Sequence, residues 1–155
     1  MSADAQSLLQ DLQASDENVR QIATEALWRL WYTQKGAYGA QLLIRSQNLL
    51  EADKPDEAEQ ILSELVEAMP DFAEAWNRRA VLRYMQHQYW QAIADCETVI
   101  ELVPYHFGAL HGLGLCHMSL GNYTAAIRCF RRALEVQPYA TINERLILEC
   151  TAKLN

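Results

Sequence analysis

The sequence predicts an all-α fold built from stacked helical hairpins. Three observations carry that expectation. First, proline recurs at Pro70, Pro104 and Pro138, at intervals of 34 and 34 residues, and the same frame holds Ala58, Ala92 and Ala126, Glu67, Glu101 and Glu135, and Tyr89 and Tyr123. Self-similarity at such a period marks a solenoid of repeated supersecondary units. Second, apolar residues inside each period follow the 3.6-residue spacing of amphipathic helices. Third, six Gly and four Pro in 155 residues are too few for a turn-rich all-β fold. Half the residues are apolar and 21% are charged, the balance of a globular chain.

The first 36 residues are expected to form a helical cap. Leu8, Leu9 and Leu12 make one side of a short helix. Ser15-Asp16 then offers an N-cap, because a short oxygen-bearing side chain can accept from the orphan amides of the first turn. Val19, Ile22, Ala23, Ala26, Leu27 and Leu30 follow as an apolar stripe, and Gly36 is a C-terminal stop. The string DENVRQIATEALWRL resembles the first helix of a HEAT repeat. This pair is read as a cap over the open end of the stack, with Trp28, Trp31 and Tyr32 packing on the first repeat unit or anchoring a partner.

Residues 39–140 divide into three units, 39–72, 73–106 and 107–140. In the first, DEAEQILSELVEAM turns Ala58, Ile61, Leu62, Leu65 and Val66 inward. Pro55 is acceptable at its start, where the missing N–H has no intrahelical partner. In the second, AEAWNRRAVLRYMQ carries Trp76, Ala80 and Arg83 on one stripe, a turn falls at His87-Gln88, and YWQAIADCETVIEL carries Ala92, Ile93, Cys96, Val99 and Ile100. In the third, FGALHGLGLCHMSL and YTAAIRCFRRALEV flank a turn at Gly121-Asn122. Pro138 then stops the helix before it. The recurring alanines mark where the helices of a unit cross closely. Residues 141–155 make a last helix, with Thr141 to Glu144 fitting a capping box and Ile142, Leu146, Cys150 and Leu154 on one face beside Ile147.

These residues resemble the tetratricopeptide repeat (TPR) family over 39–140. Leu113-Gly114, Gly121, Tyr123, Ala126, Phe130, Ala133 and Pro138 fall on its motif positions in the third unit. The second unit matches at Trp76, Ala80, Tyr89, Ala92 and Pro104, with Arg79 in place of the usual Leu and Cys96 in place of an aromatic. The first is degenerate: it keeps Leu42, Ala58 and Pro70 but has Pro55 in the tyrosine slot. The resemblance implies a right-handed α-solenoid whose first helices line a concave surface, with residues 141–155 as its capping helix.

Composition narrows the chemistry. The chain carries a net charge of −7. Thirteen of its acids and only five of its bases lie in residues 1–72, whereas residues 105–155 hold three acids and five bases. Such a chain is a poor match for phosphate-backbone binding, and no nucleic-acid partner is expected. Arg78, Arg79 and Arg83, and Arg128, Arg131 and Arg132, are read as solvated helix faces with local acid partners. Residues 102–127 lack Asp, Glu, Lys and Arg, but His106, His111, His117 and Pro104 interrupt them and Gly121-Asn122 divides them, so no membrane span is expected.

Cys96, Cys116, Cys129 and Cys150 form no CxxC pair and sit among apolar neighbours, the pattern of buried thiols in a reducing compartment. His106, His111 and His117 are spaced by five and six, whereas metal-binding helices need three or four. No phosphate loop, HExxH or GxSxG is present, and Gly112-Leu113-Gly114 lacks the third glycine of a dinucleotide loop. No catalytic residue, cofactor or metal is expected. The start, Met1-Ser2-Ala3-Asp4, lacks a basic and apolar leader, so the location expected is cytoplasmic, or organellar if a transit peptide has been removed.

By the resemblance, the concave surface is lined by Leu43, Gln47 and Leu50, by Asn77, Arg78, Val81, Tyr84 and Met85, and by His111, Leu115, Met118 and Ser119. His106 is expected in the same groove, and His117 within its unit. A mixed apolar and amide lining suits an extended or helical peptide. Family members that grip acidic C-termini use a clamp of Lys, Asn and Arg. At the corresponding positions stand Leu43, Gln47, Arg78, Gly108 and Gly112, of which only Arg78 fits. The expected function is therefore a non-enzymatic adaptor that binds another protein in the assembly or regulation of a complex. The alternative is a structural homo-oligomer, such as a homodimer, joined through the C-terminal helix or the Trp-bearing cap.

Overall fold

A computed structural model describes residues 1–155. It contains nine helices and no strand: α1 (Ala3–Asp11), α2 (Glu17–Tyr32), α3 (Gly36–Glu51), α4 (Pro55–Ala68), α5 (Ala73–Met85), α6 (Tyr89–Leu102), α7 (Phe107–Ser119), α8 (Tyr123–Val136) and α9 (Thr141–Leu154). From α3 to α9 each helix packs on the next, as hairpins stacked in a row do. The run without charges is split between α6, α7 and α8 by two turns, and no helix is long and apolar enough to cross a membrane.

The 34-residue period is also present in the backbone. Lys54, Gln88 and Asn122 each donate their amide to the carbonyl five residues back, on Leu49, Arg83 and His117, all at 2.8 Å. Each bond needs a left-handed residue just before the donor, and that residue is Asp53 (φ 59°), His87 (φ 61°) and Gly121 (φ 76°). Only the third unit meets the requirement with the residue that does so without steric cost. Ala58, Ala92 and Ala126 are fully buried at the crossings, so a larger side chain at any of them would separate the paired helices.

Local signals at helix ends hold in two places and fail in one. Asp16 caps α2 by accepting from the Asn18 amide at 2.8 Å. Pro55 opens α4 at its first position. The capping box expected at Thr141 does not form. Ala140 is the N-cap of α9, Thr141 is already helical, and Asn143 is buried with its side chain hydrogen-bonded to His111 Nδ1 at 2.8 Å. On α9 Leu146 and Cys150 are buried, whereas Ile142, Leu148 and Leu154 are exposed.

The N-terminal hairpin departs from the expected end cap. Trp31 stacks on His106 with ring centroids 4.0 Å apart, and Trp28 meets Phe107 edge to face at 5.3 Å. Leu12, Ala23, Leu27 and Trp31 form one buried cluster with Phe107. Farther along, Gln13 donates its side-chain amide to the carbonyls of Glu135 and Val136, and the Arg20 guanidinium lies 4.0 Å over the Tyr139 ring. Of the three aromatics, Tyr32 alone joins the core around Leu43, Leu62 and Phe72. The hairpin thus spans the inter-unit loops from the first unit to the last. Hydrophobic periodicity locates a helix and its apolar face but not the surface on which that face lands.

Candidate functional site

The site is the surface presented by α5 and α7. Its polar end is built on Glu74, which is fully buried. Glu74 Oε1 accepts from Asn77 Nδ2 and Arg78 Nε, both at 3.0 Å, and Oε2 lies 3.0 Å from His106 Nε2. His106 Nδ1 accepts from the Ala109 amide at 3.1 Å and so caps α7. With Nδ1 accepting, the ring proton sits on Nε2 and is donated to Glu74. Burying a carboxylate demands such partners, and three donors, two from α5 itself and one from the loop before α7, supply them. His106 therefore belongs to the interior, not to an open groove.

Trp28 closes this end from outside. A Cβ on Gly108 would stand 2.6 Å from Trp28 Cη2, so the indole occupies space that any other residue at 108 would fill. The Arg78 guanidinium lies 5.8 Å from the Trp28 ring and 5.1 Å from that of Tyr32. The one residue that matched the acidic-terminus clamp is thus engaged by Glu74 and two aromatics of the same chain.

Beyond Gly108 the surface opens into a pocket of about 160 Å³ between α5 and α7, lined by Asn77, Ala80, Val81, Tyr84, Cys96, Gly108, His111, Gly112, Leu115 and Cys116. Five of the twelve residues expected in the groove meet here: Asn77, Val81, Tyr84, His111 and Leu115. Val81 and Met85 are exposed beside it, as is Ser119, while Met118 packs toward the cluster of Phe130 and Leu146. Asn77 is buried and committed to Glu74. Leu43 is a correction: it is fully covered in the core, and Leu50 packs against the same cluster. Gln47 is half-buried, with its side chain hydrogen-bonded to Glu51. The degenerate first unit therefore adds little to the pocket.

The arginines of α5 are also not free. Arg79 forks onto Asp95 with bonds of 2.9 and 2.8 Å, and Arg83 bridges Asp95 at 3.0 Å and Glu59 at 3.2 Å. Asp95 is only 1% exposed. Arg79 replaces the family's leucine because its planar fork matches a buried carboxylate from α6. The partners of Arg79 and Arg83 lie on α4 and α6 and not on α5. Arg128, Arg131 and Arg132 on α8 are exposed.

All four cysteines are buried thiols. Burial pushes Cys129 and Cys150 above the ordinary thiol range. It also pushes the His117 imidazole below its ordinary range, with Glu97 opposing and Arg128 adding to the shift, and His117 Nδ1 is buried without a hydrogen-bond partner. No group of three or more His, Cys, Asp or Glu side chains is placed to hold a metal ion. Glycines at 108 and 112, where the family's clamp carries cations, were the sequence signal for space on this surface, and Trp28 and the pocket use it.

Comparison with known proteins agrees with this geometry. Two family models described as tetratricopeptide repeat match the chain, one over residues 45–107 and one over 108–139. A TPR repeat-containing protein of Rhizobium etli is 32% identical over 111 residues, covering 71% of this chain and 54% of the relative. Human Superkiller complex protein 3 is 34% identical over 64 residues, which are 41% of this chain and 4% of that protein. The chain thus spans about half of the first relative and a small part of the second. Among solved structures, the first TPR of Spaghetti (RPAP3) bound to the HSP90 peptide SRMEEVD superposes with a TM-score of 0.70 at 19% identity, covering 73% of this chain and 90% of that one. The TPR2B domain of yeast Sti1 in complex with pHsp70 gives a TM-score of 0.67 at 18% identity over 73% of this chain and 95% of that one. Likeness at these identities shows the fold.

Proposed function

This chain belongs to the tetratricopeptide repeat family, and from that premise we propose that it is a non-catalytic adaptor holding a segment of another protein against α5 and α7. The observation that carries the reading is the open pocket edged by Val81, Tyr84 and Leu115, with exposed Met85 beside it. An apolar recess of about 160 Å³ between the first helices of two units has room for one partner side chain. Domains of this fold are seen bound to an HSP90 peptide and in complex with pHsp70 in solved structures.

The partner chemistry differs from an acidic C-terminus. Gly108 and Gly112 offer no cation, Leu43 is buried, and Arg78 is already paired with Glu74. The segment is gripped through an apolar side chain in the pocket, and its terminal carboxylate has no counter-charge there. Affinity purification followed by mass spectrometry tests this, comparing the native chain with Val81→Arg and Leu115→Arg. Partners retained by the native chain and lost from both variants support the pocket; an identical set of partners removes it.

A second reading is self-association through α9, favoured by its exposed Ile142, Leu148 and Leu154. Light scattering at high concentration decides it, since a strict monomer ends that reading.

A further inference from the structure

We propose that Cys96 and Cys116 are an oxidisable dithiol on the floor of the α5–α7 pocket, which a small hydroperoxide converts to a disulfide. The two cysteines belong to neighbouring helices, α6 and α7, and both line the same open recess. They pack in one cluster with Ala80, Ala92, Ile93 and Leu113. A Cβ on Gly112, one turn before Cys116, would stand 3.6 Å from Cys96 Sγ, within van der Waals contact. Cys96 thus lies against the turn of α7 that leads to Cys116. A buried structural thiol is inert because no oxidant reaches it, but a recess of about 160 Å³ admits a peroxide of a few heavy atoms.

The environment separates the roles of the two sulfurs. Hydrogen bonding between them holds Cys116 below the ordinary thiol range and pushes Cys96 well above it, with burial adding to the rise at Cys96. These directions favour Cys116 as the nucleophile, with Cys96, packed against the Gly112 turn of α7, as the resolving thiol. The Cys116 thiolate attacks the distal oxygen of the hydroperoxide; an S–O bond forms, the O–O bond breaks, and the alkoxide or hydroxide released takes a proton from water. The Cys96 sulfur then attacks the sulfenic sulfur, an S–S bond forms, and the departing hydroxide leaves as water with the Cys96 proton. Two thiols lose two electrons, and the peroxide gains them. Cys129 lies in the same cluster but is absent from the pocket lining.

The test uses the full, reduced chain treated with hydrogen peroxide under native conditions, then quenched, denatured, titrated for thiols and mapped by mass spectrometry without reduction. The expected result is a fall from four free thiols to two and a single Cys96–Cys116 linkage. Cys129→Ser and Cys150→Ser keep the linkage, whereas Cys96→Ser and Cys116→Ser lose it. Persistence of four thiols overturns the proposal, as does a linkage through Cys129 or arrest of Cys116 at the sulfinic acid. If a serine variant fails to fold, the map of the native chain still decides. None of these readouts depends on a partner occupying the pocket.

Discussion

Trp28 stands where a side chain on Gly108 would begin, with its Cη2 atom 2.6 Å from the position of that missing Cβ. The two residues are separated by four helices in sequence, and their fit seats the N-terminal hairpin on the repeat array.

Gly108→Ala is expected to loosen this seat without unmaking the hairpins of 39–140. Overpacking at such a site costs about 1–3 kcal/mol. Tryptophan fluorescence should shift while far-ultraviolet circular dichroism stays helical. Adding Trp28→Ala should recover part of the loss, because the two changes are coupled through one contact. Additive losses would show that the indole is not what Gly108 accommodates.

Glu74→Ala removes the acceptor for three donors at once, on Asn77, Arg78 and His106. Breaking a buried charged network this way costs about 3–5 kcal/mol. Glu74→Gln keeps one oxygen but turns an NH₂ group toward a donor, for a cost of about 1–3 kcal/mol. Urea denaturation of the three proteins should rank them native, Gln, Ala. Equal stabilities would mean that the network is not cohesive.

The left-handed turn residues offer a paired test. Gly121 has open space around the position of a Cβ, so Gly121→Ala carries only a backbone penalty of about 1–2 kcal/mol. Asp53→Gly at the equivalent position relieves the same penalty, offset in part by the entropy of glycine, and should be neutral to stabilising by up to about 1 kcal/mol. Thermal denaturation measures both. Similar losses in the two variants would contradict the shared backbone requirement.

Burial holds His117 below the ordinary imidazole value of 6.5. The unfolded chain then binds more protons than the folded one between the depressed value and 6.5, so stability rises with pH through that window and is complete above it. The urea midpoint should climb as pH rises toward 6.5 and level off above it, and His117→Gln should flatten the climb. An unchanged slope in the variant would place the titration elsewhere.

Much of the array is legible in the residues. The prolines and alanines give the period, the apolar spacing gives the helices, and Asp16 and Pro55 act as local chemistry requires. What is not legible depends on contacts distant in sequence. Arg79 and Asp95 lie on different helices, so neither residue's own spacing reveals the fork between them. His106 looks like a groove residue until Glu74 and the Ala109 amide are seen on its two nitrogens. The pocket was half visible: Val81, Tyr84, His111 and Leu115 follow from repeat position, whereas Leu43, at the equivalent position of the first unit, is covered in the core with Leu62 and Phe72. Asp53 and His87 conceal a backbone strain that Gly121 alone advertises.

Gln13 is bonded to the carbonyls of Glu135 and Val136, more than a hundred positions along the chain. A linear stack can fray from either tip, each module melting on its own account. A clasp between the opening turns and the final module ties the tips together, so loosening at one extremity is felt at the other. Such a loop must be closed before its contacts reward it, which slows folding relative to an open array and makes melting a single cooperative event.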